Sequence, residues 1–203
     1  MTMLKPGELL QEVAVRLVAR YLTSSGALDV RTATGRELLG PGVDVSYVRD
    51  GEVRRAKVKG DPYFGTDPAL IADLSLPFYR ADAHAYALET IADASTRAPG
   101  WVFTSEADQL FYLFTAITCT EEQVASALGA SEDVFFDRLK VERDELHVLP
   151  MAPTRAWLSA SQDTYPARPV TAGRSASWVR LVPTNDLAAG VRGVRVLGSV
   201  LPK

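Results

Sequence analysis

The segment from Val43 to Asp61 contains one of the strongest short-range turn signals that a sequence can carry. Its Asp50-Gly51 pair is flanked on both sides by residues in which apolar and polar side chains alternate. An Asp-Gly pair between two alternating runs is typical of a two-residue β-hairpin turn. The sequence therefore predicts a hairpin whose strands pair around this turn.

The turn also fixes the register of the two strands. Counting outwards from the turn pairs Val48 with Val53, Ser46 with Arg55, and Asp44 with Lys57. Successive side chains of a strand point to opposite faces. One face is then apolar, with Val43, Val45, Tyr47, Ala56 and Val58. The other face carries Asp44, Ser46, Arg55, Lys57 and Lys59, and this is where we expect chemistry.

Composition excludes several classes of protein. The chain has 203 residues, of which 47% are hydrophobic, as in ordinary globular proteins. No apolar run approaches the roughly 20 residues that cross a bilayer, and the start of the chain carries Lys5, Glu8 and Glu12, unlike a signal peptide. One cysteine and two histidines cannot build a zinc cluster of the His/Cys type. We expect a cytoplasmic protein in which any metal is held by oxygen.

The net charge of −3 is unevenly distributed along the chain. Residues 151–203 carry seven basic and two acidic side chains, a net charge of +5, which leaves −8 on residues 1–150. A basic region indicates a polyanionic partner, because arginine binds phosphate through two parallel hydrogen bonds. We interpret residues 1–150 as one α/β domain and residues 151–203 as a basic C-terminal extension packed on it.

Periodicity and turn residues predict the other elements. Helices are predicted over roughly 6–23, 120–128 and 131–143, with a helical turn or two over 154–161. Strands are predicted at 86–91, 146–149 and 178–181. Residues 26–42 are predicted to be mainly loop, and 60–80 irregular with one helical turn near 68–74. Residues 105–108 are predicted to cap or begin a short helix, and the period does not separate strand from helix over 110–117. This order predicts an α/β or α+β domain with a central mixed sheet flanked by helices.

Five short motifs follow one another between about residues 40 and 115. They are Gly42-Val43-Asp44, Ala56-Lys57-Val58-Lys59-Gly60-Asp61, Ala87-Leu88-Glu89, Pro99-Gly100-Trp101 and Glu106-Ala107-Asp108. Their pattern resembles the PD-(D/E)XK nuclease superfamily, and within it bacterial and phage endonuclease-like proteins. The resemblance implies a restriction-endonuclease-like fold for residues 1–150. It also implies a Mg²⁺-dependent (or Mn²⁺-dependent) endonuclease that hydrolyses DNA, and a homodimer if both strands are cut.

In such a family, carboxylates on adjacent strands hold the metal and a lysine faces the attacked phosphate. Mg²⁺ prefers oxygen ligands, and cleavage requires a hydroxide nucleophile and neutralisation of developing negative charge. Carried over by position, Asp44 matches the metal-binding aspartate and Lys59 the motif lysine. The chain departs from the pattern at Lys57, where the family has Glu or Asp. A cation there repels Mg²⁺ and is expected to pair with Asp44 across the strands.

Two arrangements would restore a metal site. Asp61 and Glu89 replace the missing ligand, or Lys57 is the working lysine and Asp61 with Glu89 completes the site. Both keep the candidate catalytic set Asp44, Lys57, Lys59, Asp61 and Glu89, with Asp44, Asp61 and Glu89 as metal ligands. We expect Glu89 on the strand next to the Lys57 strand, on the same side as Asp44.

Blander interpretations remain open for these residues. Asp44 with Lys57 is equally an ordinary cross-strand ion pair, and Asp61 is also typical of a turn. His84 and His147 have no readable partner and are interpreted as surface or structural residues. Three classes of protein are thus compatible with the sequence. These are a metal-dependent nuclease, a catalytically lapsed nuclease-fold protein that binds nucleic acid or a protein partner, and an unrelated α/β scaffold.

Overall fold

A computed structural model describes residues 6–33, 39–61, 85–172 and 175–201. The helices are α1 (Pro6–Ser24), α2 (Trp101–Thr104), α3 (Glu121–Leu128), α4 (Glu132–Arg138), α5 (Met151–Ser161) and α6 (Thr184–Gly190). The strands are β1 (Leu28–Thr32), β2 (Val45–Arg49), β3 (Glu52–Asp61), β4 (Ala85–Asp93), β5 (Ala98–Pro99), β6 (Gln109–Ile117), β7 (Val141–Pro150), β8 (Ala167–Ala172), β9 (Ser175–Pro183) and β10 (Arg195–Val196).

Six strands form a mixed sheet in the order β1-β2-β3-β6-β7-β10. Strands β3 and β6 run parallel, and the other neighbours in this sheet are antiparallel. The predicted hairpin is confirmed, because Val48 pairs with Val53 and Ser46 with Arg55. The helices and the mixed sheet confirm the predicted α+β class.

Helix α1 covers one face of the six-stranded sheet. Its buried residues Val13 and Leu17 belong to the same core as Val45 and Val58 of the hairpin. The apolar face predicted for the hairpin is therefore the face under α1 for Val45, Tyr47, Ala56 and Val58. Since Asp44 and Lys57 alternate with these residues, they lie on the opposite face. The prediction for Val43 is wrong, because Val43 is buried in the core on the opposite side of the sheet, with Tyr86 and Leu110.

The remaining four strands form a second sheet in the order β5-β4-β9-β8. Tyr86 and Leu88 of β4 share a buried core with Leu110 and Tyr112 of β6, on the side of the six-stranded sheet that α1 does not cover. The chain after residue 150 supplies β8 and β9 to this sheet and pairs β10 with β7. A helix–sheet–sheet stack results, and the charged face of the hairpin lies on the side of the second sheet.

Three local predictions differ from the structure. Residues 28–32 form β1 where a loop is predicted. The predicted helix over 131–143 ends at Arg138, because the following residues pair with β6 as the start of β7. Residues 105–108 are not helical, and the short helix α2 ends just before them.

Strand β6 resolves the ambiguity over 110–117 in favour of a strand. In the ranges that the structure describes, no helix is both long and apolar enough to cross a membrane. The predictions for residues 62–80, including the helical turn near 68–74, and the interpretation of His84 lie outside the described residues.

Candidate functional site

Asp44 lies where β2 and β3 begin to separate. Its backbone N–H donates to Ala56 O, and its carboxylate oxygen Oδ2 accepts the backbone N–H of Val58 at 2.7 Å. The Lys57 ammonium lies 3.0 Å from the same oxygen, and the two side chains are only 17% (Lys57) and 21% (Asp44) exposed. The predicted cross-strand pair is confirmed. The Asp44 carboxylate thus accepts the backbone N–H of Val58 and pairs with the Lys57 ammonium at the same time.

The rest of this strand edge is satisfied from α1. Gln11 donates its side-chain amide to Val58 O at 2.8 Å and accepts the N–H of Gly60 at 3.4 Å. Backbone groups that lose a neighbouring strand need other partners. Asp44 and Gln11 therefore continue the hydrogen bonding that β2 no longer provides.

Lys59 lies within electrostatic range of the other four predicted site residues. Burial lowers the pKa of its ammonium group, and the charge of nearby Lys57 lowers it further. The negative charges of Asp61, Glu89 and Asp44 act in the opposite direction on the same group. The charges of the other four predicted site residues therefore all act on Lys59.

Asp61 is the last residue of β3 and is held from the neighbouring strand. The hydroxyl group of Tyr112 donates to Asp61 Oδ2 at 2.6 Å and accepts the backbone N–H of Ala87 at 2.9 Å. Tyr112 is fully buried, and it pairs with Lys59 in the parallel register of β3 and β6. This contact links Asp61 on β3, through β6, to β4 of the second sheet.

The predicted position of Glu89 is wrong in one respect. Glu89 lies on β4, which belongs to the four-stranded sheet. It is therefore not on a strand next to β3, whose neighbours are β2 and β6. Its carboxylate accepts the backbone N–H of Trp101 at 3.2 Å, at the start of α2. The charge of Glu89 nevertheless acts on the Lys59 ammonium.

Arg55 extends the charged face towards the tip of the hairpin. Its guanidinium group lies 3.4 Å from Glu106 Oε2 and 3.9 Å from Asp108 Oδ2, and its backbone N–H donates to Asp108 at 2.8 Å. The Arg55 side chain is 42% exposed. The Glu-Ala-Asp motif therefore lies beside the hairpin, with its two carboxylates on the arginine.

A second polar group, missed at the level of sequence, lies next to Tyr112. His147 is buried and joins the hydroxyl group of Tyr86 (2.6 Å from Nδ1) to Glu145 (2.5 Å from Nε2). The interpretation of His147 as structural is compatible with these contacts, but a surface position is wrong. The sequence signal is weak. Glu145 and His147 alternate on one strand, whereas Tyr86 comes from a distant one.

The carboxylates as placed do not fit a divalent metal ion. Lys57 occupies the space next to Asp44. Asp61 accepts a hydrogen bond from the Tyr112 hydroxyl group, and Glu89 accepts one from the backbone N–H of Trp101. Among residues 6–33, 39–61, 85–172 and 175–201, no three Asp, Glu, His or Cys side chains are grouped closely enough to hold a metal. A metal would have to displace the Lys57 ammonium before it could reach Asp44.

Comparison of the chain with protein-family models, with curated proteins and with solved structures found no significant match.

Proposed function

We propose that this chain is a nuclease-fold protein that binds DNA without cleaving it. The observation that carries the proposal is the 3.0 Å contact between Lys57 and Asp44. Lys57 stands where the PD-(D/E)XK pattern has a carboxylate, and its ammonium supplies the positive charge that a divalent ion would otherwise supply to Asp44. The site retains cations for phosphate to bind once it displaces their carboxylate partners, whereas the carboxylates are already engaged by Lys57, Tyr112 and Trp101.

The DNA contact in this proposal runs along β3. Arg55, Lys57 and Lys59 occupy alternate positions of one strand, so their Cα atoms are spaced by roughly 7 Å on the same face. Each now has a carboxylate nearby, and DNA phosphates would exchange with those carboxylates. The Arg55 side chain is more exposed than that of Lys57, so Arg55 would meet DNA before Lys57 does.

A second candidate is Mg²⁺- or Mn²⁺-dependent hydrolysis of DNA, with Asp44, Asp61 and Glu89 as ligands and Lys59 facing the phosphate. The observation that favours it is the charge of the cluster. Three carboxylates and two lysines sum to −1, which favours a cation over an anion. This candidate requires Lys57 to leave Asp44.

The two candidates are separated by measurements with and without metal. We expect a fluorescent 20-base-pair DNA to bind equally in EDTA and in Mn²⁺. Calorimetry should detect no Mn²⁺ binding, and the DNA should stay intact. The variant Lys57→Glu should then gain Mn²⁺ binding and cleavage. If the natural chain cleaves DNA in Mn²⁺, and both EDTA and Asp44→Ala abolish cleavage, the second candidate is right. A chain that neither binds nor cuts DNA would contradict both candidates and favour an unrelated scaffold.

The salt dependence of binding identifies the residues involved. Each lost phosphate contact should lower the slope of log K against log [salt] by about 1. We expect this for Lys57→Gln and for Lys59→Gln. The matched control is Lys140→Gln, an exposed lysine between α4 and β7, which should leave the slope unchanged. Sedimentation velocity in the same buffer tests the homodimer, which stays a prediction.

A further inference from the structure

Tyr112 connects the two sheets at the candidate site. It lies opposite Lys59 in the sheet, donates to Asp61 and accepts the N–H of Ala87. We propose that Tyr112 is a positioning residue, whose hydroxyl group fixes Asp61 beside Lys59 and thereby makes β4 of the second sheet part of the DNA-binding site. The effect of Tyr112 on DNA binding rests on the proposed function.

The direction of the hydrogen bonds follows from the donors available. A tyrosine hydroxyl has one proton, and the Ala87 N–H is itself a donor, so the Tyr112 proton is directed to Asp61. The O···O distance of 2.6 Å lies in the range of charge-assisted hydrogen bonds to carboxylates. Burial, together with the charge of Asp61, raises the pKa of Tyr112, so the hydroxyl group remains a donor at neutral pH.

The alternative is that Tyr112 only fills the core, and Tyr86 provides the matched comparison. Tyr86 is also fully buried, and its ring packs edge-on against Tyr112 with centroids 5.0 Å apart. Its hydroxyl group pairs with His147 and makes no bond to Asp61. Tyr86→Phe therefore removes one buried hydroxyl group from the same interface, and the difference between the two variants reports the bond to Asp61.

The first experiment needs no DNA. The carboxyl ¹³C resonance of Asp61 is recorded in the natural chain, in Tyr112→Phe and in Tyr86→Phe. We expect it to shift in Tyr112→Phe, which loses the donor, and to stay in place in Tyr86→Phe. An Asp61 resonance that is unchanged in Tyr112→Phe, or that moves equally in both variants, would overturn the proposal whether or not the chain binds DNA.

The second experiment measures the dissociation constant for the 20-base-pair DNA in EDTA. We expect Tyr112→Phe to weaken binding about tenfold, the scale of one hydrogen bond to a charged group, and Tyr86→Phe to change it less than twofold. If Lys59→Gln weakens binding while Tyr112→Phe does not, the role of Tyr112 is wrong and the proposed function stands. If the natural chain fails to bind DNA, the proposed function is wrong, and the Asp61 resonance still decides the position of Tyr112.

Discussion

Gly60 on β3 and Ala14 on α1 lie so close that no side chain fits between them. A Cβ atom at Gly60 would lie 2.9 Å from Ala14 Cβ and 3.3 Å from Leu10 Cγ. Helix α1 thus contacts the backbone of the strand that carries Lys59 and Asp61. The close approach also lets Gln11 reach the edge of β3.

We expect Gly60→Ala to destabilise the fold. The new methyl group forces α1 away from β3, and overpacking of this kind costs about 1–3 kcal/mol. Urea denaturation followed by circular dichroism measures the change. The control is Gly129→Ala, because a Cβ there would be 3.6 Å from its nearest neighbour, an ordinary contact. Equal stabilities of the two variants would show that α1 accommodates the methyl group.

The pair Asp44–Lys57 is expected to be energetically coupled. Asp44→Ala leaves the Val58 N–H and the Lys57 ammonium without the carboxylate, at a cost of about 2 kcal/mol. In the variant Lys57→Met, the same Asp44→Ala change should cost about 1 kcal/mol less. A double-mutant cycle in urea measures this difference. Costs that simply add would mean that the pair contributes nothing measurable.

Stability should fall as the pH rises above 10. Burial raises the pKa of Tyr86, and the charge of Glu145 raises it further, whereas the ordinary value is 10.0. Burial and then Asp61 do the same for Tyr112. Above pH 10 the unfolded chain loses protons that the folded chain keeps, so the free energy of unfolding decreases by about 1.4 kcal/mol per pH unit for each tyrosine.

The variant Tyr86→Phe removes the contribution of Tyr86 to this pH dependence. Its unfolding free energy should fall less steeply than that of the natural chain, by about 1.4 kcal/mol per pH unit, between pH 10.5 and 11.5. Lys59 affects stability in a lower pH range, and there the free energy of unfolding increases with pH. Because its folded-state pKa is lowered from 10.5, its contribution to stability rises with pH until about that value and then stops. Parallel pH curves for Tyr86→Phe and the natural chain would contradict the assignment.

The capping box of α3 should contribute measurably to stability. Thr120 accepts the N–H of Gln123 at 3.3 Å, and the Gln123 side chain accepts the N–H of Thr120 at 2.9 Å. Thr120→Ala should therefore cost about 1 kcal/mol. Ser131 occupies the same position of α4 but makes no side-chain cap, so Ser131→Ala should change stability by less than about 0.5 kcal/mol. Thermal unfolding of both variants provides the comparison.

Local signals predicted the hairpin correctly. The Asp50-Gly51 turn and the alternation of Val45 to Val58 specify register and faces without reference to the rest of the chain. The capping box at Thr120 was predictable for the same reason, since both partners lie three residues apart. Strand β1 was not, because its pairing with β2 contains an irregularity and Asp29 has a positive φ of 48°, which interrupts the alternation.

Long-range placement limited the prediction of the site. The sequence indicates that Glu89 lies on a strand, but which sheet receives that strand depends on its pairing with β9, almost a hundred residues further along. The partners of His147 are hidden in the same way. Asp44 and Lys57 were predicted together because one turn sets their separation, whereas the contact of Tyr112 with Asp61 depends on the parallel pairing of β3 and β6.

That parallel pairing also orders the folding of the chain. The β2–β3 hairpin joins residues that are adjacent in sequence and can form within about 1–10 μs. The partner of β3 on its other side begins only at Gln109, and contacts between distant residues form late because a long loop must first close. A nascent chain that ends before Gln109 contains Lys57 and Lys59 in the β2–β3 hairpin, and a two-stranded hairpin without further strands is only marginally stable. Such a chain still lacks the tyrosine that holds Asp61, so the site is completed only when the second half of the sheet has been made.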